Sequence, residues 1–345
     1  MQLTESSRVA ILLQGGIKGH HGKTGLAFLR YSQTTTVAVI DAETEGKSFA
    51  ELTKIERKVP IVKDVQRALA YQPDVLLIGI APSGGQLPVD LATEIEIAVK
   101  AGLSIINGLH TPLMPKFPAL QPGQEIWDIR QEPTSLTIGK GKARSLTAQR
   151  ILTVGTDMAI GKMSASLELH RAALNQGIKA QFVATGQAGI AIAGQGIPLD
   201  AVRVDFAAGA VEQTVMELAI DQELVIIEGQ GSLLHPGSTA TLSLIRGSQP
   251  TGLVLVHRAG AKHLHDLPDV LIPPLPEVIQ LYETVAGAGG TFGEIKVKAI
   301  ALNTLGMNDS EAEDVIKSTA KLTGLSCSDV VRYGGATLLP TVYAL

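Results

Sequence analysis

The chain has one cysteine, Cys327, in 345 residues. An internal disulfide and a cysteine-rich zinc site are therefore excluded, and a reducing, cytoplasmic location is expected. Aromatic residues make up only 3% of the sequence. Ala, Val, Ile and Leu must then build the cores, as they do in parallel sheets covered by helices. Long apolar runs are missing. Stretches such as VLLIGIA (75–81) end far short of the roughly 20 residues that a membrane helix needs. The opening MQLTESSRVA has no basic stretch followed by an apolar one, so no secretory signal is expected. Cationic surplus is also absent. Lys and Arg number 29 against 33 Asp and Glu, for a net charge of −4, which disfavours nucleic acid as a partner.

What the sequence does contain is a strand–helix alternation sufficient for two domains. RVAILLQ (8–14), TVAVID (36–41), DVLLIGIA (74–81) and SIING (104–108) read as strands. Helices are expected over 23–32, 61–71 and 87–102. Such alternation implies right-handed crossovers and a parallel sheet, so residues 1–112 are expected to form a Rossmann-like domain. Residues 113–148, with Pro115, Pro118, Pro122 and Pro133 and no sustained period, read as a linker, with a short strand near Trp127–Ile129. Residues 149–345 repeat the alternation. Strands are expected at 151–155, 180–185, 223–229, 252–257 and 296–303, and helices near 163–175, 207–220, 276–286 and 309–323. The expected class is α/β, two parallel-sheet domains, the second of P-loop type.

That second type follows from ILTVGTDMAIGKMSASLELH (151–170). A strand, a glycine-punctuated loop and a helix start bind phosphate through converging backbone N–H groups and the positive end of the helix. Gly155, Thr156, Asp157 and Gly161 would form the cradle, and Lys162 would reach the distal phosphates. The helix start adds Met163 and Ser164. Gly155 and Gly161 are one residue further apart than in the commonest pattern. Magnesium-dependent loops place a hydroxyl after the lysine, but here that residue is Met163, and a thioether does not suit a hard cation. Ser164 lies about 100° further round the helix. If magnesium is used, Asp157 and Glu228 are the candidate ligands.

Acid–base chemistry needs a titratable group at the ligand-binding edge of the sheet, and donors there can hold an oxyanion. Glu228 at the end of a buried strand, His235 in SLLHPGS and His257 at the end of the next strand are the catalytic candidates. Arg258, Gln187, Gln230 and Ser232 are candidates for holding substrate, with Arg203 and Arg246 as further cations for a carboxylate. The glycine-rich ATGQAGIAIAGQG (184–196) reads as a loop approaching a ligand. In the first domain, GGIKGHHGKT (15–24) and Asp41 imitate a dinucleotide site, but the spacing is not Gly-x-Gly-x-x-Gly, so NAD is disfavoured. His20, His21 and the turn APSGGQLP (81–88) are further candidates there.

GTDMAIGKM resembles the variant phosphate loop of dethiobiotin synthetase. VIIEGQGS (225–232) and AIALNT (299–304) follow in the order of that superfamily. The resemblance implies magnesium service for the glutamate and adenine recognition for Asn303. A wider resemblance, through LLIGIAPSGGQLP, FVATGQAGIAIAGQG, EGQGSLLHPGS and GSQPTGLVLVHRAG, is to the DUF1611 family. It implies D-glutamate N-acetyltransferase activity, linked functionally to an N-acetylglutamate racemase. Acetyl-CoA is then the expected cofactor, because its phosphates need binding but no cleavage. An ATP–magnesium carboxylate-activating enzyme and a non-catalytic nucleotide-binding protein are the alternatives. The expected partners are a small amino-acid substrate and further copies of the chain in a homo-oligomer, without nucleic acid or membrane.

Overall fold

A computed structural model describes residues 1, 3–19, 21–81, 87 and 89–343, without the side chains of residues 89 and 90. The chain separates into two compact units, Met1–Gln131 with Gln187–Pro198, and Glu132–Gly186 with Leu199–Leu345. Each is built on a six-stranded parallel sheet.

In the first unit the strands are β1 (Arg8–Leu12), β2 (Thr35–Ile40), β3 (Ile61–Val62), β4 (Val75–Ile78), β5 (Ser104–Asn107) and β6 (Ile126–Asp128). Their order is β3-β2-β1-β4-β5-β6, the Rossmann order, which reverses between β1 and β4. Val9, Ala10, Ile11 and Leu12 are fully buried, as expected of a central strand covered on both faces.

The second sheet uses β7 (Gln149–Gly155), β8 (Ala180–Val183), β9 (Leu224–Ile227) and β10 (Gly252–Arg258). A small antiparallel hairpin follows, β11 (His263–Leu264) and β12 (Leu267–Leu271), and then β13 (Val297–Asn303) and β14 (Ser326–Ser328). The sheet order is β14-β13-β10-β7-β9-β8. The helix Lys162–Asn175 follows β7. Its Ala165, Leu169, Ala172 and Ala173 pack with Ile151, Ile226 and Val254 of the sheet. Helix Asp309–Thr323 starts with a capping box between Asn308 and Glu311, two orphan donors satisfied reciprocally. Among the described residues, no helix is long and apolar enough to cross a membrane.

Three segments differ from the sequence expectation. The stretch 61–71 is not one helix. Ile61 and Val62 pair with Val39 and Ile40 as an edge strand, and Asp64 then caps a short helix, Val65–Ala68. The stretch 184–196 holds a helix, Gln187–Ala193. Its buried Ile190 and Ala191 explain why it packs with helix Lys23–Tyr31 of the first unit. The segment 113–148 is not a bare linker either. Its β6 extends the first sheet, with Trp127 opposite Ile106, and the part beyond Gln131 clusters with the second unit. There Glu212 accepts from the backbone N–H groups of Lys140 (3.0 Å) and Lys142 (2.6 Å). The turn 81–88 and His20 fall largely outside the described residues, whereas His21 is exposed, with its carbonyl accepting from Ala81 N.

Candidate functional site at the carboxyl edge of the second sheet

Register decides which residues meet. Gly155 of β7 lies opposite Val256 of β10, and Arg258 opposite Asn303 of β13. On the other side, Leu152 is opposite Ile227, which is opposite Val183 of β8. The residues following these positions therefore gather along one edge. They are Thr156 and Asp157 after β7, Glu228 after β9, His257 and Arg258 ending β10, and Asn303 ending β13. Ligands bind at this edge in open parallel sheets.

The loop 156–161 has the backbone of a phosphate cradle. Gly161 sits at φ 110°, at the start of helix Lys162–Asn175, a conformation that side chains rarely adopt. Lys162 is buried and its Nζ donates to the Asp157 carbonyl at 2.7 Å. Burial pulls its pKa down to about 8, against the opposing pull of the Asp157 and Glu228 carboxylates. Gly155 and Gly229 leave room for this lysine. A Cβ on Gly155 would lie 3.2 Å from Nζ, and one on Gly229 would lie 3.1 Å from its Cδ and 1.8 Å from the Thr153 carbonyl.

Glu228 is buried, and burial raises its pKa to about 7 against the backbone N–H groups of Thr185 and Gly186 and the charge of Lys162. Its Oε2 accepts from Thr185 N at 2.9 Å and Gly186 N at 3.3 Å, while Oε1 faces Gln230 Nε2 at 3.2 Å. A carboxyl with that affinity for protons can exchange one near neutral pH.

Other candidates have structural employment. Asp157 Oδ1 accepts from Met158 N and Oδ2 from His265 N, both at 2.6 Å. Its two oxygens are thus engaged by backbone, unlike the metal ligand envisaged from sequence. Among the described residues, no group of three or more His, Cys, Asp or Glu is arranged to hold a metal ion. Met163 and Ser164 are half-buried at the helix start. Asn303 Nδ2 donates to the Ile160 carbonyl at 2.9 Å and its Oδ1 accepts from Leu305 N, which braces the phosphate loop from β13. Both ring nitrogens of His235 are taken, Nδ1 by Gly237 N and Nε2 by the His265 carbonyl, each at 3.0 Å. These partners suit a ring whose Nδ1 accepts and whose Nε2 donates.

His257 Nδ1 lies 2.9 Å from Thr156 Oγ1, and burial lowers its pKa to about 4, so it is neutral at physiological pH. Ser232 is buried and its Oγ accepts from Leu234 N. Arg258 is exposed at the end of β10. Gln187 opens a helix that belongs to the first unit. Arg203 is held by Glu132, and Arg246 donates to the Gly289 carbonyl.

Sequence reasoning missed Tyr282. It is fully buried, donates to the Gly155 carbonyl at 2.7 Å and accepts from Leu233 N at 3.1 Å. It therefore ties the end of the phosphate-loop strand to the loop after Glu228. Thr153 was missed too. Its Oγ1 accepts from Gly229 N and meets Ser166 Oγ at 3.0 Å. A rare buried tyrosine on an otherwise ordinary amphipathic helix was the one available signal for the first. A threonine interrupting the Ile–Leu–Val run of β7 was the signal for the second.

The comparisons agree with this architecture. Residues 137–339 match the model of the DUF1611 P-loop domain, a domain of unknown function, and residues 42–132 match its Rossmann-like partner. A D-glutamate N-acetyltransferase of a Pseudoalteromonas species is 35% identical over 75% of this chain and 78% of its own. One from Tritonibacter scottomollicae is 33% identical over 81% and 84% respectively. The crystal structure of a DUF1611 family protein from Anabaena variabilis, 59% identical, superposes with a TM-score of 0.94 over 98% of this chain and 99% of that one. With a Rossmann-like unit, a P-loop unit and matches spread over both, this chain belongs to the DUF1611 family.

Proposed function

We propose that this protein is an acetyl-CoA-dependent N-acetyltransferase acting on D-glutamate, with the 156–161 loop holding the cofactor phosphates without cleaving them. The observation that carries the reading is the pairing, at one sheet edge, of a phosphate-loop lysine with a buried carboxyl whose pKa stands at about 7. The relatives named for this activity supply the substrate.

Acetyl-CoA would supply the acyl group and a thiolate leaving group. Glu228 Oε1 would take a proton from the acceptor ammonium, freeing the nitrogen lone pair to form the N–C bond as the C–S bond breaks. That proton then passes to the departing sulfur, and the second proton that the nitrogen sheds on becoming an amide goes to solvent. Lys162 would bind phosphate as a charge-assisted donor, exchanging its bond to the Asp157 carbonyl for one to the anion. Transfer of this kind needs no magnesium shell. That fits the thioether at Met163 and the engagement of both Asp157 oxygens by backbone N–H groups.

The test is calorimetry with CoA, acetyl-CoA, ATP–magnesium and NAD, paired with thiol release on adding D- or L-glutamate. Binding of CoA and release with the D-isomer support the reading. Binding and hydrolysis of ATP at an enzyme-like rate, above about 1 per second, without thiol release, would replace it with the carboxylate-activating alternative.

A further inference from the structure

Asp157 has an occupation that phosphate binding alone does not explain. Its backbone carbonyl holds Lys162 Nζ. Its carboxylate holds Met158 N of its own loop and His265 N, more than a hundred residues on. His265 lies in the turn between β11 and β12, and its carbonyl accepts from His235 Nε2. One peptide segment of the hairpin is therefore gripped twice, by the phosphate loop and by the loop that follows Glu228. The rest of the hairpin is lightly held, since Leu271 is 67% exposed and β12 is exposed along most of its length. Arg258 ends β10, Lys262 lies between β10 and β11, and His263 opens β11. All are exposed, and among the described residues none has a carboxylate partner.

We propose that Asp157 is a positioning residue that couples occupancy of the phosphate loop to the β11–β12 hairpin, and that Arg258 and Lys262 at the root of that hairpin bind the carboxylates of an acidic acceptor. This rests on the reading of the loop as a holder of cofactor phosphates. The physical cause is competition for Lys162. An arriving phosphate draws Nζ away from the Asp157 carbonyl and offsets the lysine charge near the buried Asp157 carboxylate, which then leans harder on its two N–H donors. One of those donors is His265 N, so the hairpin tightens when the loop is filled. Arg258 and Lys262 are then fixed for forked and point-charge contacts to carboxylate. Cofactor would bind first and improve acceptor affinity, and the coupling would be reciprocal.

Amide hydrogen exchange on the wild-type protein reads this directly, with CoA and with inorganic pyrophosphate as separate probes. Either ligand, once bound, should slow exchange at His265 and its hairpin neighbours by about tenfold or more. If both ligands bind and the exchange of 262–271 does not move, the coupling is overturned. If pyrophosphate binds and protects but CoA does not bind, the coupling stands and the acetyl-CoA reading fails. If neither binds, the phosphate-loop reading fails and the coupling with it.

Asp157→Asn gives the second readout, because the amide keeps one acceptor and turns a donor toward the other N–H. Acceptor KM should rise about tenfold, by clearly more than CoA Kd rises, and ligand-dependent protection should vanish. A merely structural role would instead lower the melting temperature and weaken both ligands together. An unchanged acceptor KM in a folded variant overturns the proposal. Arg258→Ala should raise the same KM while leaving the protection in place, which separates the cationic root from the coupling bond. Should Asp157→Asn fail to fold, the wild-type exchange experiment decides.

Discussion

Both units contain a strand, a glycine-rich turn, a lysine and a helix, and they use the arrangement differently. In the first unit, Gly22 precedes Lys23 at the start of helix Lys23–Tyr31. A Cβ on Gly22 would lie 2.2 Å from the Gly16 carbonyl, and one on Gly19 would lie 2.5 Å from the Gly15 carbonyl. The turn is folded onto its own backbone. Lys23 is exposed, and the strand-end carboxylate Asp41 is spent on Gly15 N and the Thr44 hydroxyl. In the second unit, the corresponding lysine is buried within reach of the charges of Asp157 and Glu228, and the glycines make space for it. A glycine–lysine helix start is therefore a local motif in both places. The electrostatic setting, a desolvated cation facing buried acids, exists in one.

The largest expected difference between the two units is catalytic. Glu228→Gln keeps shape and removes the base, so acetyl transfer should fall by about 10²–10⁴ with CoA binding retained. Asp41→Asn in the first unit should leave the rate within about threefold. The wild-type rate should climb with pH through about 7 as Glu228 ionises. Stability should move the other way. The folded pKa lies above the ordinary 4.5, so this group's contribution is complete below about 4.5 and is lost as pH rises through 7. Thermal melts of Glu228→Gln should lack that decline. Equal rates for wild type and Glu228→Gln would take the base assignment away from Glu228.

Next comes packing. Gly229→Ala drives a methyl against the Thr153 carbonyl, a backbone atom 1.8 Å away, and should cost about 3 kcal/mol of stability. Gly177→Ala is a milder control: its Cβ would meet nothing within 4 Å, although its φ of 75° disfavours a side chain. It should cost about 1 kcal/mol. Urea titrations of both variants measure the contrast, which fails if the two midpoints coincide.

Much of this architecture is legible in the sequence, because central parallel strands must be continuous runs of Val, Ile and Leu. ILTV in β7 and LVII in β9 are unmistakable in that sense. The two- and three-residue edges β3 and β14 are not, since they are defined by the neighbour they pair with. Helix Gln187–Ala193 is hidden by Gly189 and the glycines that flank it, Gly186 and Gly194, and emerges only from tertiary packing. In the site, Gly155 and Glu228 could be read from their positions at strand ends, and Lys162 from the helix start that follows the glycine-punctuated loop. His235 and Asn303 could also be placed near that edge, but their bonds to the His265 and Ile160 carbonyls are long-range and no spacing reveals them. Tyr282 shows the limit most plainly. Its partners, Gly155 and Leu233, lie far from it in the chain and are backbone groups.

The lysines make the next comparison. Lys162→Ala should weaken CoA binding by about 1.5–3 kcal/mol, the range for a charged donor. Lys23→Ala should change it by less than about 0.5 kcal/mol, as a surface substitution. Isothermal titration of the pair settles whether the buried lysine alone serves the cofactor. Equal losses would mean that both turns contribute.

The smallest expected effect tests why the second loop would bind phosphate without breaking it. Met163→Thr supplies the hydroxyl that magnesium-dependent loops place after the lysine. The site stays poor in oxygen donors, because both Asp157 oxygens already accept backbone N–H groups. One hydroxyl therefore adds one ligand to a metal that wants six. A gain in ATP–magnesium affinity of no more than about 1 kcal/mol is expected, with no gain in acetyl transfer. A variant that acquires rapid ATP hydrolysis would show that the thioether was the sole obstacle. The engagement of Asp157 by the hairpin would then have to be broken easily by the metal. Should Met163→Thr and Asp157→Asn each leave ATP unbound while CoA binds the wild type, the loop's preference lies in the whole donor set and not in residue 163.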